Sequence, residues 1–273
     1  MKKLFRNTPL LALCALAALL PLSAQAHKAW LLPSATVLSD RSWVTFDAAV
    51  SNDLFYFNHV PLRLDGLVIT APDGSRAMPA ESHTMKYRNV FDLDIAKSGT
   101  YRIAVVNDGL SASYVNAAGE KKRWRGTAQA MTSEIPKDAT SIEVSQASGR
   151  IETFVTSGKP TTTALAPTGV GLEMIPETHP NDLFAGETAS FRFTMDGKPA
   201  GNLNLEIIPG GSRYRDQQNE MRVKTDADGS VKITWPAAGM YWLEASIDNA
   251  PATVEAASKR RAMYVATLEV LAP

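Results

Sequence analysis

Cysteine is nearly absent from this chain, since Cys14 is the only one among 273 residues. We expect that part of the chain to be removed, so the mature protein should contain neither a disulfide nor a thiolate ligand for a metal. A surplus of charge is also absent, because 28 basic side chains balance 28 acidic ones. A chain without a broad basic field is not expected to bind nucleic acid.

The motifs of the common hydrolases are missing as well. The sequence contains no Gly-x-Ser-x-Gly and no His-Glu-x-x-His, and the glycine pair at 210–211 is not followed by the lysine of a phosphate-binding loop. We therefore assign no catalytic residue from the sequence. Whether the protein is an enzyme stays open, because a metal-dependent enzyme does not need these motifs.

The first 26 residues have the three parts of a secretory signal peptide. A basic start precedes an apolar run at 10–20, and a small-x-small sequence follows at 24–26. The run is too short to span a bilayer. We predict cleavage after Ala26 and a periplasmic mature protein without a transmembrane segment. Cleavage at this position makes His27 the N-terminal residue.

Alternation of polar and apolar residues marks the mature chain as β-structure. Val44 and Phe46 alternate with polar residues, and the same period of two recurs at 189–195, 203–207 and 231–235. Asp-Gly turns separate several of these segments, and no stretch keeps a helical period beyond two or three turns. The pattern predicts an all-β fold.

A weak internal echo predicts two domains. Gly99-Thr100-Tyr101 and Gly239-Met240-Tyr241 each close a run of strands, as a corner tyrosine does in immunoglobulin-like sandwiches. The segment between the two runs is rich in Ser, Thr, Ala and Pro, although residues 151–155 are compatible with a strand. The predicted organisation begins with a cleaved signal peptide at 1–26. Two Ig-like or prealbumin-like β-sandwich domains follow, at 27–130 and at 168–273, and a linker or shared edge segment at 131–167 lies between them.

Histidine is scarce, and its few positions define the candidate metal site. The α-amine and the ring Nδ1 of an N-terminal His27 can chelate one ion together. One further imidazole would complete a nitrogen set that suits Cu(II) and Ni(II), while cobalt, iron and zinc stay open. We name His59 and His179 as candidates for it, with Asp182 as a carboxylate ligand, and His83 as the weaker candidate. The arrangement resembles the histidine brace of copper-dependent polysaccharide monooxygenases.

Several segments together resemble one known family. They are His-Lys-Ala-Trp-Leu-Leu-Pro at 27–33, Val-Ser-Asn-Asp-Leu-Phe at 50–55, His-Pro-Asn-Asp-Leu-Phe-Ala-Gly-Glu at 179–187, Gly-Ser-Arg-Tyr-Arg-Asp at 211–216 and Trp-Pro-Ala-Ala-Gly-Met-Tyr-Trp-Leu at 235–243. The family comprises exported Gram-negative proteins of unknown function that are often labelled periplasmic components of nickel or cobalt transport. The resemblance runs along essentially the whole mature chain. It implies a β-sandwich architecture, a periplasmic location and a link to metal uptake or handling.

Three functions are compatible with these observations. The first is a periplasmic protein that binds Cu, Ni, Co or Fe for uptake or trafficking, and that works with a membrane transporter or an outer-membrane receptor. The enzymatic alternative is a copper oxidase or monooxygenase that uses the same histidine brace. The third is a non-catalytic interaction module that displays its loops to an outer-membrane or transporter partner.

Overall fold

The computed structural model describes residues 27–273. The predicted signal peptide, 1–26, lies outside the described residues. The described part of the chain contains nineteen β-strands in three sheets, and one short α-helix, α1 (Ala128–Glu134). The predicted all-β fold is confirmed.

Within each sheet, strands named consecutively are hydrogen-bonded neighbours. The N-terminal sheet contains β1 (Lys28–Pro33), β3 (Trp43–Ser51), β8 (Asn89–Asp94) and β7 (Glu81–Thr84), with β4 (Val60–Pro61) beside β3. The central sheet contains β16 (Met221–Lys224), β15 (Asn204–Pro209), β18 (Gly239–Ala250), β19 (Lys259–Val270), β11 (Thr140–Ser157), β9 (Gly99–Val115), β5 (Leu67–Thr70) and β6 (Arg76–Ala77), with β10 (Lys121–Gly126) beside β9 and β2 (Val37–Leu38) beside β11. The C-terminal sheet contains β12 (Leu172–Pro176), β13 (Thr188–Met195) and β14 (Lys198–Pro199), with β17 (Ser230–Thr234) beside β13.

The three sheets form three layers. On β19, Val265 belongs to the hydrophobic core under the N-terminal sheet, whereas its neighbours Tyr264 and Ala266 belong to the core under the C-terminal sheet. On β18, Trp242 belongs to the core under the N-terminal sheet and Leu243 to the core under the C-terminal sheet. Since successive residues of a strand point to opposite faces, the outer sheets cover opposite faces of the central one. The two β-sandwiches therefore share the central sheet.

The segment between the two predicted domains, 131–167, contributes a strand to the central sheet. It contains β11, which pairs with β9 on one side, where Ile151 lies opposite Val105, and with β19 on the other, where Ile151 lies beside Val265. Residues 150–157 are all buried, because both faces of this strand are covered. A strand buried on both faces loses the period of two on which the sequence prediction relied.

The predicted corner tyrosines are present in both halves. The hydroxyl of Tyr101 accepts a hydrogen bond of 2.8 Å from the backbone N–H of Lys97. The hydroxyl of Tyr241 donates one of 2.8 Å to the carbonyl of Ala237. Each contact ties the start of a long central strand to the turn before it. From residue 27 onward, no helix combines the length and apolar character that crossing a bilayer requires.

Candidate functional site

His27 and His59 lie against each other. Each comes directly before a strand, β1 and β4 respectively, and these strands pair with the end of β3 at Ser51 and Val50. The two imidazole rings are stacked, with centroids 3.8 Å apart and planes 14° from parallel. Both side chains are exposed to solvent. The structure thus brings together two of the four predicted ligands.

A buried tryptophan holds the strand ends that carry the two histidines. The Nε1–H of Trp30 donates a hydrogen bond of 2.8 Å to the hydroxyl of Ser51, and that hydroxyl donates one of 2.7 Å to the carbonyl of Asp53. The rings of Phe55 and Phe57 pack against the indole, each with its centroid 5.5 Å away. The loop from β3 to β4 is therefore fixed on β1 from its inner side.

The same loop is closed on its outer side by Asn58. Its Oδ1 accepts a hydrogen bond of 2.9 Å from the N–H of Asn52, and its Nδ2 donates one of 2.7 Å to the Asp53 carboxylate. An amide that both accepts and donates in this way fixes the chain directly before His59. These contacts fix where the backbone of His59 lies beside β1.

Two exposed imidazoles in contact can supply two nitrogen ligands to one ion. The lone pair of a neutral imidazole lies in the ring plane, and a metal binds along it at about 2.0–2.1 Å. Parallel rings do not point their lone pairs at a common point, so both rings must turn about the bond to Cβ before they share an ion. Their exposure leaves them room to do so. If cleavage follows Ala26, the His27 amine becomes a third nitrogen beside them.

His179 occupies a different environment, between the two halves of the molecule. Its Nε2 lies 2.9 Å from the hydroxyl of Thr100 and 3.3 Å from the carbonyl of Thr161. Its Nδ1 accepts a hydrogen bond of 3.2 Å from the N–H of Asn181. This network assigns the proton to Nε2, and burial lowers the pKa of the ring from its ordinary value. Both nitrogens are thus occupied within the protein.

Asp182 is bound into the same turn, because its backbone N–H donates 2.9 Å to the carbonyl of His179. Over residues 27–273, no group of three or more His, Cys, Asp or Glu side chains is arranged to hold a metal ion. The structure therefore does not show the four predicted ligands as one cluster. His83 lies elsewhere, exposed on β7, with Nε2 at 3.4 Å from the Glu81 carboxylate.

A second loop, 209–219, packs beside the first, and its residues 211–216 are one of the segments that carry the family resemblance. Its organising residue is Arg215, whose guanidinium donates to the carbonyls of Gly210 at 2.6 Å, Pro209 at 2.9 Å and Gln218 at 3.1 Å. A fork of N–H donors bonded to three carbonyls holds the loop in one shape. No carboxylate pairs with this guanidinium among the ion pairs of the described chain.

The two loops meet through aromatic side chains, the half-buried Tyr56 and the exposed Tyr214. The guanidinium of Arg213 lies over the ring of Tyr56 at 4.5 Å from its centroid. A hydrogen bond with Tyr214 raises the pKa of the Tyr56 hydroxyl, and Tyr214 itself is 84% exposed. In the sequence, this surface is marked only by Tyr214 between Arg213 and Arg215, shortly after a pair of glycines. Such a pattern is too common to identify a site without the contact to Tyr56.

Comparison with known proteins gives one family and no curated relative. A family model described as a domain of unknown function (DUF4198) matches residues 24–249. No curated protein sequence matches this chain. The family match spans most of both sandwiches and includes His27 and His59.

Several solved structures align with the chain over most of its length. The D0-D1 domain of intimin aligns over 88% of this chain and 97% of its own, at 13% identity and a TM-score of 0.23. The adhesin InvE of Yersinia pseudotuberculosis aligns over 89% of this chain and 58% of its own, at 12% identity and a TM-score of 0.21. Similarity at this level carries no functional information, and the fold assignment rests on the strands described above.

Proposed function

The chain belongs to the DUF4198 family of domains of unknown function, and from this premise we propose that it binds a divalent transition metal at its mature N-terminus. The observation that carries the proposal is the contact between the His27 and His59 rings, at 3.8 Å. Two imidazoles that are distant in sequence meet at the residue that signal-peptide cleavage would make N-terminal. A pair of histidines with a purely structural role would not have to lie at the N-terminus of the mature chain.

The proposed ligands are three nitrogens. The α-amine and Nδ1 of His27 chelate the ion, and a ring nitrogen of His59 completes the set after the two rings turn out of their stack. A set of amine and imidazole nitrogens without thiolate suits Cu(II) and Ni(II) best, with cobalt, iron and zinc as further candidates. In this proposal His179 and Asp182 act as structural residues, because the His179 ring nitrogens are occupied by Thr100 and Asn181.

The proposed role is uptake or trafficking in the periplasm, in cooperation with a membrane transporter or an outer-membrane receptor. Support comes from the exposure of both rings, because an ion that is passed to a partner must be bound where the partner can reach it. The nickel or cobalt transport suggested by the family resemblance is one form of this role.

The test is a titration of the mature protein, starting at His27, with Cu(II) and with Ni(II) by calorimetry. We expect one ion per chain, and a loss of affinity of about tenfold or more when one Gly precedes His27. His59→Phe keeps an aromatic ring against His27 but removes the ligand nitrogen, so it should weaken binding to a similar degree. His83→Phe makes the same replacement at an exposed histidine outside the site and should bind like the wild type. Equal, weak binding by all four proteins would overturn the proposal in favour of an interaction module.

The exposure of the pair favours one second candidate, a copper oxidase or monooxygenase. An exposed ion held by three nitrogens keeps coordination positions open for oxygen. The discriminating experiment supplies ascorbate and dioxygen to the copper-loaded protein, where ascorbate is oxidised to dehydroascorbate and dioxygen is reduced to hydrogen peroxide. Peroxide formation above that of free copper, lost in His27→Ala, would identify the enzyme. Formation below that of free copper would identify a carrier.

A further inference from the structure

The strand β10, at the margin of the central sheet, has a free edge. All six of its residues pair with β9, from Lys121 opposite Val115 to Gly126 opposite Leu110. Within the part of the chain that the structure describes, no strand pairs with its other side, and no backbone hydrogen bond of a turn or loop involves it. Alternate backbone N–H and C=O groups of such a strand point away from its neighbour. β10 therefore offers a row of free donors and acceptors.

The side chains on one face of β10 have partners within the chain. The Lys122 ammonium lies 2.8 Å from the Glu120 carboxylate. The Nε1–H of Trp124 donates a hydrogen bond of 2.7 Å to the carboxylate of Glu134, which belongs to α1. This face is therefore satisfied by the protein itself, and α1 holds the strand from behind.

The opposite face of β10 carries three cations without such partners. Because successive residues of a strand alternate between its faces, Lys121, Arg123 and Arg125 point to the same side. All three are exposed. None of the ion pairs formed within residues 27–273 includes any of them. They form a straight basic row beside the free edge.

The positive charge continues across the sheet. Arg125 lies opposite Ser111 of β9, Ser111 lies opposite Ser145 of β11, and Ser145 lies beside Lys259 of β19. Residues paired in this way share one face of a sheet. Lys259 is exposed, and Glu143 of β11 is an opposing charge on the same face. The free edge of β10 thus borders a face on which basic side chains from distant parts of the sequence meet.

We propose that β10 binds an extended acidic segment of another protein, which adds to the central sheet as a further strand. The free backbone groups of β10 supply the hydrogen bonds, and the basic row selects the partner. Side chains directly opposite each other in such a pair have Cβ atoms about 4.5–5.5 Å apart. An acidic residue at every second position of the segment would therefore lie opposite Lys121, Arg123 and Arg125 in turn.

Other occupants match this edge less well. An anionic membrane surface matches the charge, but it has no peptide groups to pair with a strand. Residues 1–26 contain no Asp or Glu, so they do not supply the acidic segment. In a second copy of this chain, Asp92 and Asp94 alternate with apolar residues, but their strand β8 already pairs with β3 and β7. Basic side chains on an edge also hinder pairing with neutral or basic edges, which makes an acidic partner selective.

The experiment is a calorimetric titration of the metal-free mature protein with a short peptide in which Glu alternates with Thr. We expect one peptide per chain, and a loss of affinity of about threefold or more in Arg123→Gln and in Arg125→Gln. Lys122→Gln is the matched control, since it removes the same charge from the opposite face of the same strand, and it should bind like the wild type. Equal affinity in Arg123→Gln and wild type, or no binding of the peptide at all, would overturn the proposal.

Hydrogen–deuterium exchange separates strand addition from attraction between charges alone. The amide hydrogens of residues 121–126 should exchange more slowly in the peptide complex, and unchanged exchange at saturation would overturn strand addition. A parallel titration uses vesicles of phosphatidylglycerol and phosphatidylcholine, where binding to vesicles without binding to the peptide would identify a membrane as the ligand and overturn the proposal.

The inference is independent of the proposed function, because the protein is metal-free and both histidines stay unchanged in every variant. Thermal unfolding excludes misfolding as the cause of lost binding. Arg123 and Arg125 are exposed and in no ion pair of the described chain, so Arg123→Gln and Arg125→Gln should unfold at the wild-type temperature.

Discussion

The Nε1–H of Trp30 donates a buried hydrogen bond of 2.8 Å to the hydroxyl of Ser51, across the pairing of β1 with β3. Trp30 lies three residues after His27, and Ser51 begins the loop that ends at His59. This one contact therefore connects the two chain segments whose histidines stack. The geometry of the candidate metal site depends on a core residue as much as on the exposed rings.

We predict that Ser51→Ala destabilises the protein by about 1–3 kcal/mol, because it leaves the Trp30 Nε1–H buried without an acceptor. It also frees the β3–β4 loop, so copper affinity should fall together with stability. Urea denaturation and copper titration measure the two effects. Ser82→Ala, at an exposed position on β7, should change neither quantity.

A second prediction concerns acid stability and His179. Burial lowers the pKa of this ring below its ordinary value of 6.5. The folded state therefore binds fewer protons than the unfolded chain below about pH 6.5, and the free energy of unfolding should fall as the pH falls through that region. His179→Gln should flatten this dependence between pH 7 and pH 5. His83→Gln is the control and should keep the wild-type slope of the free energy of unfolding against pH. If His179→Gln keeps that slope as well, another group is responsible for the pH dependence.

The third prediction concerns Glu152, a carboxylate inside the central sheet. Tyr264 donates a hydrogen bond of 2.6 Å to its Oε1, whereas Oε2 has no hydrogen-bond partner within residues 27–273. Burial raises the pKa of Glu152, against the opposing effect of Arg150 at 3.6 Å. The folded state thus binds the proton more tightly, and the associated stability is lost as the pH rises. Relative to wild type, Glu152→Gln should gain stability from pH 5 to pH 8, and a relative loss would contradict this assignment.

The fourth prediction compares two turn glycines with similar backbones. Gly229 has φ 83° and Gly119 has φ 77°. A Cβ at Gly229 would lie 2.3 Å from the carbonyl oxygen of Phe193, whereas one at Gly119 would meet nothing within 4 Å. Gly119→Ala should cost about 1–2 kcal/mol for the left-handed conformation alone. Gly229→Ala should cost clearly more, because β13 must move, and equal unfolding midpoints for the two variants would refute this.

Periodicity predicted those strands that have one solvated face. The segments 44–50, 189–195 and 231–235 each correspond to a strand of an outer sheet, where polar residues can face water. Periodicity gives no such signal at 150–157, where both faces are covered and where polar residues such as Glu152 are buried in a network with Arg150 and Tyr264. Polarity in that segment was typical of a linker, whereas the structure uses it inside a sheet.

Local patterns predicted the all-β fold, which is confirmed, and a cleavage site before His27, which stays a prediction, because alternation and a small-x-small motif are properties of a short stretch of chain. Which histidine lies against His27 follows from the fold and not from the local sequence. His59 does so because β1 and β4 both pair with the end of β3, whereas the His179 ring is held by Thr100 and Asn181. Contacts between distant segments follow from strand register and from the packing of layers, and neither of these is written in the local pattern of residues.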